Sequence, residues 1–122
     1  MSGAPTAAEI GTLLPLQPRD YLILFALIDG RLHGHGILKA LEAESSGVLF
    51  DPANLYRSLR KLERDELVAE TNGSGADGGG PTRRFYKLTK LGRRVLTAEA
   101  HRLARLADAA RGRRLVSAAE VE

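Results

Sequence analysis

The 122-residue chain has no cysteine, no tryptophan, a single methionine and few aromatics, three Tyr and three Phe. Without cysteine there are no disulfides and no thiolate metal sites. Long hydrophobic runs are missing too: the longest strongly apolar stretch is Tyr21 to Ile28. That is far short of the roughly 20 residues needed to span a bilayer. The N-terminus carries no basic stretch followed by an apolar segment, so no secretory signal is read there. A cytoplasmic protein with no membrane partner is expected.

What is present is an ordinary globular composition, 43% hydrophobic and 27% charged, in a chain of one-domain size. The net charge is only +3 but unevenly spread. Residues 1–50 and 51–81 each have a balance of −2, whereas residues 82–114 hold eleven Lys/Arg against two Asp/Glu, a balance of +9. Such asymmetry suggests a polyanionic partner; a solvated basic helix is the plainer explanation of the same residues.

Local patterns give an order of elements. Thr6-Ala-Ala-Glu9 matches a capping box, and Ile10, Leu13 and Leu14 then share a helical face up to Pro15, predicting a short helix over 7–14. Pro18 suits the first turn of a second helix. From 21 to 28 that helix is apolar on every side, the pattern of a buried helix, and Asp29-Gly30 ends it. A third helix opens at Gly34 or His35 and runs to about Glu44, with Ile37, Leu38 and Leu41 inward. Val48-Leu-Phe50 reads as a short strand. Asp51-Pro52 is a strong helix start, an N-cap acid before proline at the first position. Leu55, Leu59 and Leu62 then form one stripe, and Asn54, Arg57, Arg60, Lys61 and Arg64 lie opposite; this helix ends near Asp65. Leu67–Thr71 and Arg83–Leu88 read as strands around a turn with five glycines, a β-hairpin. From Thr89 to about Arg114 the chain is helical. Its seam of Leu96, Leu103, Leu106 and Ala110 is heptad-like and has no obvious partner within so small a chain.

This order is a winged helix-turn-helix followed by a dimerisation helix: a mainly α protein with a small β-hairpin, an α+β fold. The expected division is an N-terminal arm and short helix over 1–15, a DNA-binding domain over 16–88, and a C-terminal dimerisation helix and tail over 89–122. The helix opening at Pro52 buries one face and offers cations and an amide on the other. A B-DNA major groove admits one such helix, and Asn and Arg pair bidentately with adenine and guanine. Asn54, Arg57, Arg60 and Lys61 are therefore the candidate contacts to bases or nearby phosphates. Thr82, Arg83 and Arg84 leave the hairpin tip where a wing would cross a phosphate backbone. Tyr56 sits at the edge of the apolar stripe, where it either caps the core or places its hydroxyl on a phosphate.

Other chemistries find little support. Gly73-Ser-Gly-Ala-Asp-Gly78 matches GxGxxG, but Gly79-Gly80-Pro81 follows and no helix opens to receive a pyrophosphate. His33-x-His35 offers two metal ligands, with His101 far along the chain; no metal or other cofactor is expected. No serine lies in a nucleophile elbow, and no nucleophile has a base beside it in sequence, so the chain is expected not to be an enzyme.

Three stretches together resemble the PadR family of bacterial transcriptional regulators. They are Tyr21-Leu-Ile-Leu-Phe-Ala-Leu-Ile-Asp-Gly-Arg-Leu-His-Gly34, Asp51-Pro-Ala-Asn-Leu-Tyr-Arg-Ser-Leu-Arg-Lys-Leu-Glu63, and Arg83-Arg-Phe-Tyr-Lys-Leu-Thr89 with Gly92-Arg93. They cover roughly residues 20–95, and their order and spacing carry the likeness. The resemblance implies a repressor that binds an inverted-repeat operator on double-stranded DNA as a homodimer, with a small-molecule effector as a possible further partner. It also implies that dimerisation uses the N-terminal helix and the single C-terminal helix, through Ile10, Leu13, Leu14, Leu96, Leu103, Leu106 and Ala110. The family usually has Gly-Tyr-Glu where this chain reads Gly34-His35-Gly36, so the tyrosine's role is not carried over. No tryptophan is present to stack a ligand as some relatives do. A winged helix used as a protein-interaction module, without sequence-specific DNA binding, is the alternative from another class.

Overall fold

The computed structural model describes residues 6–44, 51–72 and 84–116. Among these residues, five helices and three strands follow in the order α1 (Ala7–Gly11), α2 (Pro18–Ala26), β1 (Leu32–His33), α3 (Gly34–Glu44), α4 (Pro52–Arg64), β2 (Val68–Asn72), β3 (Arg84–Leu88) and α5 (Lys90–Gly112). The strand expected at Val48–Phe50 and the glycine-rich turn lie outside the described residues.

Local chemistry accounts for most helix starts. The Thr6–Glu9 capping box forms: Thr6 N–H donates to Glu9 Oε1 at 2.8 Å, and Glu9 N–H donates to Thr6 Oγ1 at 3.1 Å. The helix it opens is shorter than expected and stops at Gly11. The Thr12 hydroxyl then donates to the Glu9 carbonyl at 2.7 Å. Pro18 stands at the start of α2 after Gln17 in extended conformation. Asp51 Oδ1 accepts from Ala53 N–H at 3.0 Å, and Pro52 takes the position where a missing N–H costs nothing.

Two expectations change. The apolar α2 is not buried all round. Ile23, Leu24 and Leu27 are in the core, but Phe25 is 41% exposed and Tyr21 and Leu22 are half-buried. The helix packs on α3, α4 and α5, and its outer side stays partly exposed among the described residues. Nor is the sheet a plain hairpin. Its order is β1-β3-β2, all antiparallel, with Leu32 opposite Tyr86 and His33 opposite Phe85. Both edges of β3 are consequently paired, and the successive residues Phe85 and Tyr86, on opposite faces, are both buried. Arg31 lies over the Phe85 ring at 5.4 Å and His33 meets it edge-on.

The core gathers Ile23, Leu24, Leu27, Ile37, Leu41, Leu55, Leu59, Leu62, Leu67, Val68, Tyr86 and Val95. The α4 stripe of Leu55, Leu59 and Leu62 is its centre, each 1% exposed. The helix closes with a Schellman turn: Leu67 N–H reaches Leu62 O at 2.9 Å while Glu66 takes a left-handed φ of 63°. The chain then fixes α5 to this corner. Thr89 N–H donates to Leu67 O at 3.1 Å, its hydroxyl donates to Glu66 O at 2.7 Å, and the same oxygen caps α5 by accepting from Gly92 N–H at 2.8 Å. A Cβ on Gly92 would sit 2.0 Å from Leu67 O, so only glycine lets the backbones approach.

The N-terminal arm is tied to α5 by a buried carboxylate. Glu99 is 1% exposed. Its Oε2 accepts from Leu16 N–H at 2.9 Å, and Arg102 grips both oxygens at 2.6 and 2.8 Å. These bonds, Arg102's first, hold the carboxyl below the ordinary glutamate range. Beyond Glu99 no described residue is buried, so the last 13 residues of α5 run about 20 Å clear of the core. Among the described residues no helix is long and apolar enough to cross a membrane.

Candidate nucleic-acid interface

Helix α4 is held from behind by α2. Arg19 Nε donates to Ser58 Oγ at 2.7 Å, and Lys61 Nζ pairs with Asp20 Oδ2 at 3.1 Å. Asp20 is 1% exposed and its Oδ1 has no hydrogen-bond partner, so the pair brings a carboxylate into the core for a single charged bond. Lys61, expected among the DNA contacts, carries its ammonium to Asp20 on the flank of the helix and so bridges α4 to α2, while its side chain stays 49% exposed.

The face opposite the leucine stripe carries Arg57, Arg60 and Arg64, all exposed. At 3.6 residues per turn these three, spaced i, i+3 and i+7, share one line along the helix. Asn54 is half-buried at the first turn, and its Oδ1 accepts from Arg57 Nη1 at 2.7 Å. That bond orients the Arg57 guanidinium and occupies the oxygen through which an asparagine accepts from adenine. Arg64 was not singled out as a site residue. The sequence pattern already sets Arg64 on this outward face with Arg57 and Arg60.

Tyr56 is 43% exposed, and its hydroxyl lies over the start of α3: a Cβ on Gly34 would be 2.2 Å from it. The ring thus couples α4 to the N-terminus of α3. That N-terminus is itself capped by a side chain, since His33 Nδ1 accepts from Gly36 N–H at 3.0 Å. The His33 ring stacks on His35, with centroids 6.3 Å apart. His33 therefore spends on its helix the nitrogen that a metal would need.

The wing side of α4 is acidic. Glu63 on α4 and Glu70 on β2 face each other beside Tyr86, and Arg84 on β3 reaches Glu70 at 3.6 Å. Burial, then the Glu70 charge and a hydrogen bond with it, push the Glu63 carboxyl above its ordinary range, partly offset by Arg84. Burial, then the two carboxylates, also raise the Tyr86 phenol. Thr82 and Arg83 lie outside the described residues.

The residues expected at a dimer seam divide in two. Ile10 and Leu96 are 7% and 6% exposed and belong to the chain's own core. Leu13 and Leu14 are half-buried against it. Leu103 and Leu106 are 36% and 55% exposed on the free part of α5, with Ala110 half-exposed beyond them.

This arrangement of a helix-turn-helix, a three-stranded wing and a long terminal helix meets a sequence match to the PadR-like family of transcriptional regulators over residues 23–98, more than half of the chain. The chain belongs to the PadR-like family. Solved PadR-like structures share its fold. A PadR family transcription regulator from Clostridium difficile R20291 superposes with a TM-score of 0.70 at 20% identity, covering 79% of this chain and 97% of that one. Bacillus subtilis PadR in complex with operator DNA gives 0.58 at 23% identity, covering 67% and 46%. In sequence, an uncharacterized 37.1 kDa protein of transposon TN4556 from Streptomyces fradiae is 41% identical over 85 residues. Those residues are 70% of this chain but only 23% of that protein.

Proposed function

We propose that this PadR-like chain is a sequence-specific DNA-binding repressor that reads an inverted-repeat operator as a homodimer. The observation that carries the reading is α4: a helix anchored through its leucines, Ser58 and Lys61, with Arg57, Arg60 and Arg64 aligned on its open side. Such a helix suits a major groove, with Arg57 and Arg60 as base or phosphate contacts and Asn54 at the leading turn. Arg84, with Thr82 and Arg83, would steady the wing on the backbone. The projecting α5, through Leu103, Leu106 and Ala110, is the natural seat for a second copy. Two recognition helices would then stand about 34 Å apart, one turn of DNA. An effector bound between the two α5 helices would shift the equilibrium between two such spacings, by no more than its difference in affinity for the two states allows.

The test is selection of bound duplexes from a random pool, followed by titration of the selected site. Affinity should fall steeply with salt. Arg57→Ala and Arg60→Ala should each cost about 1–3 kcal/mol, with relaxed preference at one base pair for a base contact. No duplex binding at low salt would replace this reading with a protein-interaction module, and unchanged binding in both variants would remove the two arginines from the interface.

A further inference from the structure

Glu70 stands in the wrong place for a surface meant only to attract phosphate. It lies on β2 diagonally across from Arg84, in the register that sets Glu70 opposite Tyr86 and Asn72 opposite Arg84. Its Oε2 is 3.6 Å from Arg84 Nη1, and Glu63 of α4 faces it from behind. Arg84 is the one described cation at the root of the wing tip, 70% exposed and held by this carboxylate. A carboxylate and a backbone phosphate offer a guanidinium the same bidentate geometry.

We infer that Glu70 is an intramolecular competitor for the DNA backbone, holding Arg84 in the free chain so that a phosphate must displace it. This rests on the DNA-binding reading above and adds a residue that limits affinity rather than supplying it. Non-specific binding is built almost wholly from phosphate contacts. A carboxylate that must first release its arginine weakens each such encounter, and specificity commonly depends on a repulsive element of this kind.

The experiment is fluorescence anisotropy of a short labelled duplex of random sequence at low salt, with the full chain. Four proteins are compared: wild type, Glu70→Gln, Arg84→Ala and the double variant. Glu70→Thr, which keeps strand propensity, stands in should Glu70→Gln fold poorly. Wild type should bind, and loss of the Glu70 charge should tighten binding about 1.5- to 5-fold, the range of an exposed ion pair. In the Arg84→Ala background the gain should largely vanish. Unchanged or weaker binding by both Glu70 variants overturns the inference. So does a gain of equal size without Arg84, which would mean general charge removal. Absence of wild-type binding would instead remove the DNA-binding reading beneath it.

Discussion

Glu99 is the residue whose replacement should say most about how this chain is held together. It is a carboxylate 1% exposed that accepts three hydrogen bonds, one from the arm at Leu16 and two from Arg102. Glu99→Gln keeps the shape but loses the charge, and turns one acceptor oxygen into an NH₂ donor facing donors. A hydrogen bond to a charged group contributes about 1.5–3 kcal/mol, and a buried donor left unpaired costs a similar amount. Arg102 is partly exposed and recovers water, so the expected loss is about 2–3 kcal/mol. With an unfolding entropy near 2.1 cal/mol/K per residue, that lowers Tm by about 8–12 °C for a chain this long.

The pH dependence separates this account from a general packing defect. Glu99 is held below its ordinary pKa in the folded chain. Its contribution is therefore complete above the unfolded value of about 4.3 and disappears as pH falls through the lower folded value. The wild type should melt higher than Glu99→Gln by a constant margin from neutral pH down to about pH 5, and the margin should close below that. Thermal melts by circular dichroism at one fixed protein concentration measure it, since linked association would otherwise shift Tm. A margin under about 2 °C at neutral pH would refute the three-bond account. A margin that persists unchanged into strong acid would show that charge is not its origin.

Three further substitutions have definite outcomes. Gly92→Ala forces a Cβ to within 2.0 Å of the Leu67 carbonyl, which is backbone and has little room to yield; a destabilisation of about 3 kcal/mol or more is expected in urea unfolding. Glu66→Gly relieves a left-handed residue with φ 63° at the Schellman turn and should stabilise by about 0.5–1 kcal/mol, read as a higher urea midpoint at unchanged slope. Leu106→Glu, at a position 55% exposed on the free part of α5, should leave the monomer's fold and melting cooperativity intact. It should also abolish self-association in sedimentation velocity; association equal to wild type would move the dimer seam elsewhere.

How far the sequence was legible depends on how local each cause is. The Asp51-Pro52 start of α4, its leucine stripe, and the Thr6–Glu9 capping box are read within a few residues, and each stands where its pattern placed it. The two-residue β1 carries no periodicity of its own; it exists because β3 has a free edge, and only the tertiary arrangement supplies that. Lys61 shows the same limit at the candidate site. On a helical wheel it belongs to the polar side with Arg57 and Arg60, but its partner is Asp20, 41 positions earlier. No spacing rule connects the two. The α5 stripe is subtler. Leu96, Leu103, Leu106 and Ala110 form one unbroken seam by period, yet Leu96 is in the core while Leu106 is in solvent. Periodicity states which side of a helix is apolar, not where the rest of the chain stops covering it. That boundary falls at Glu99, where a buried carboxylate ties down the arm, and Leu103 and Leu106 beyond it are exposed. The residue that ends the core is thus also the last of the points, after Thr89 and Gly92, that hold α5 against the rest of the chain. In the dimer proposed above, any loosening at Glu99 should therefore be felt in the spacing between the two copies of α4 before it is felt in α4 itself.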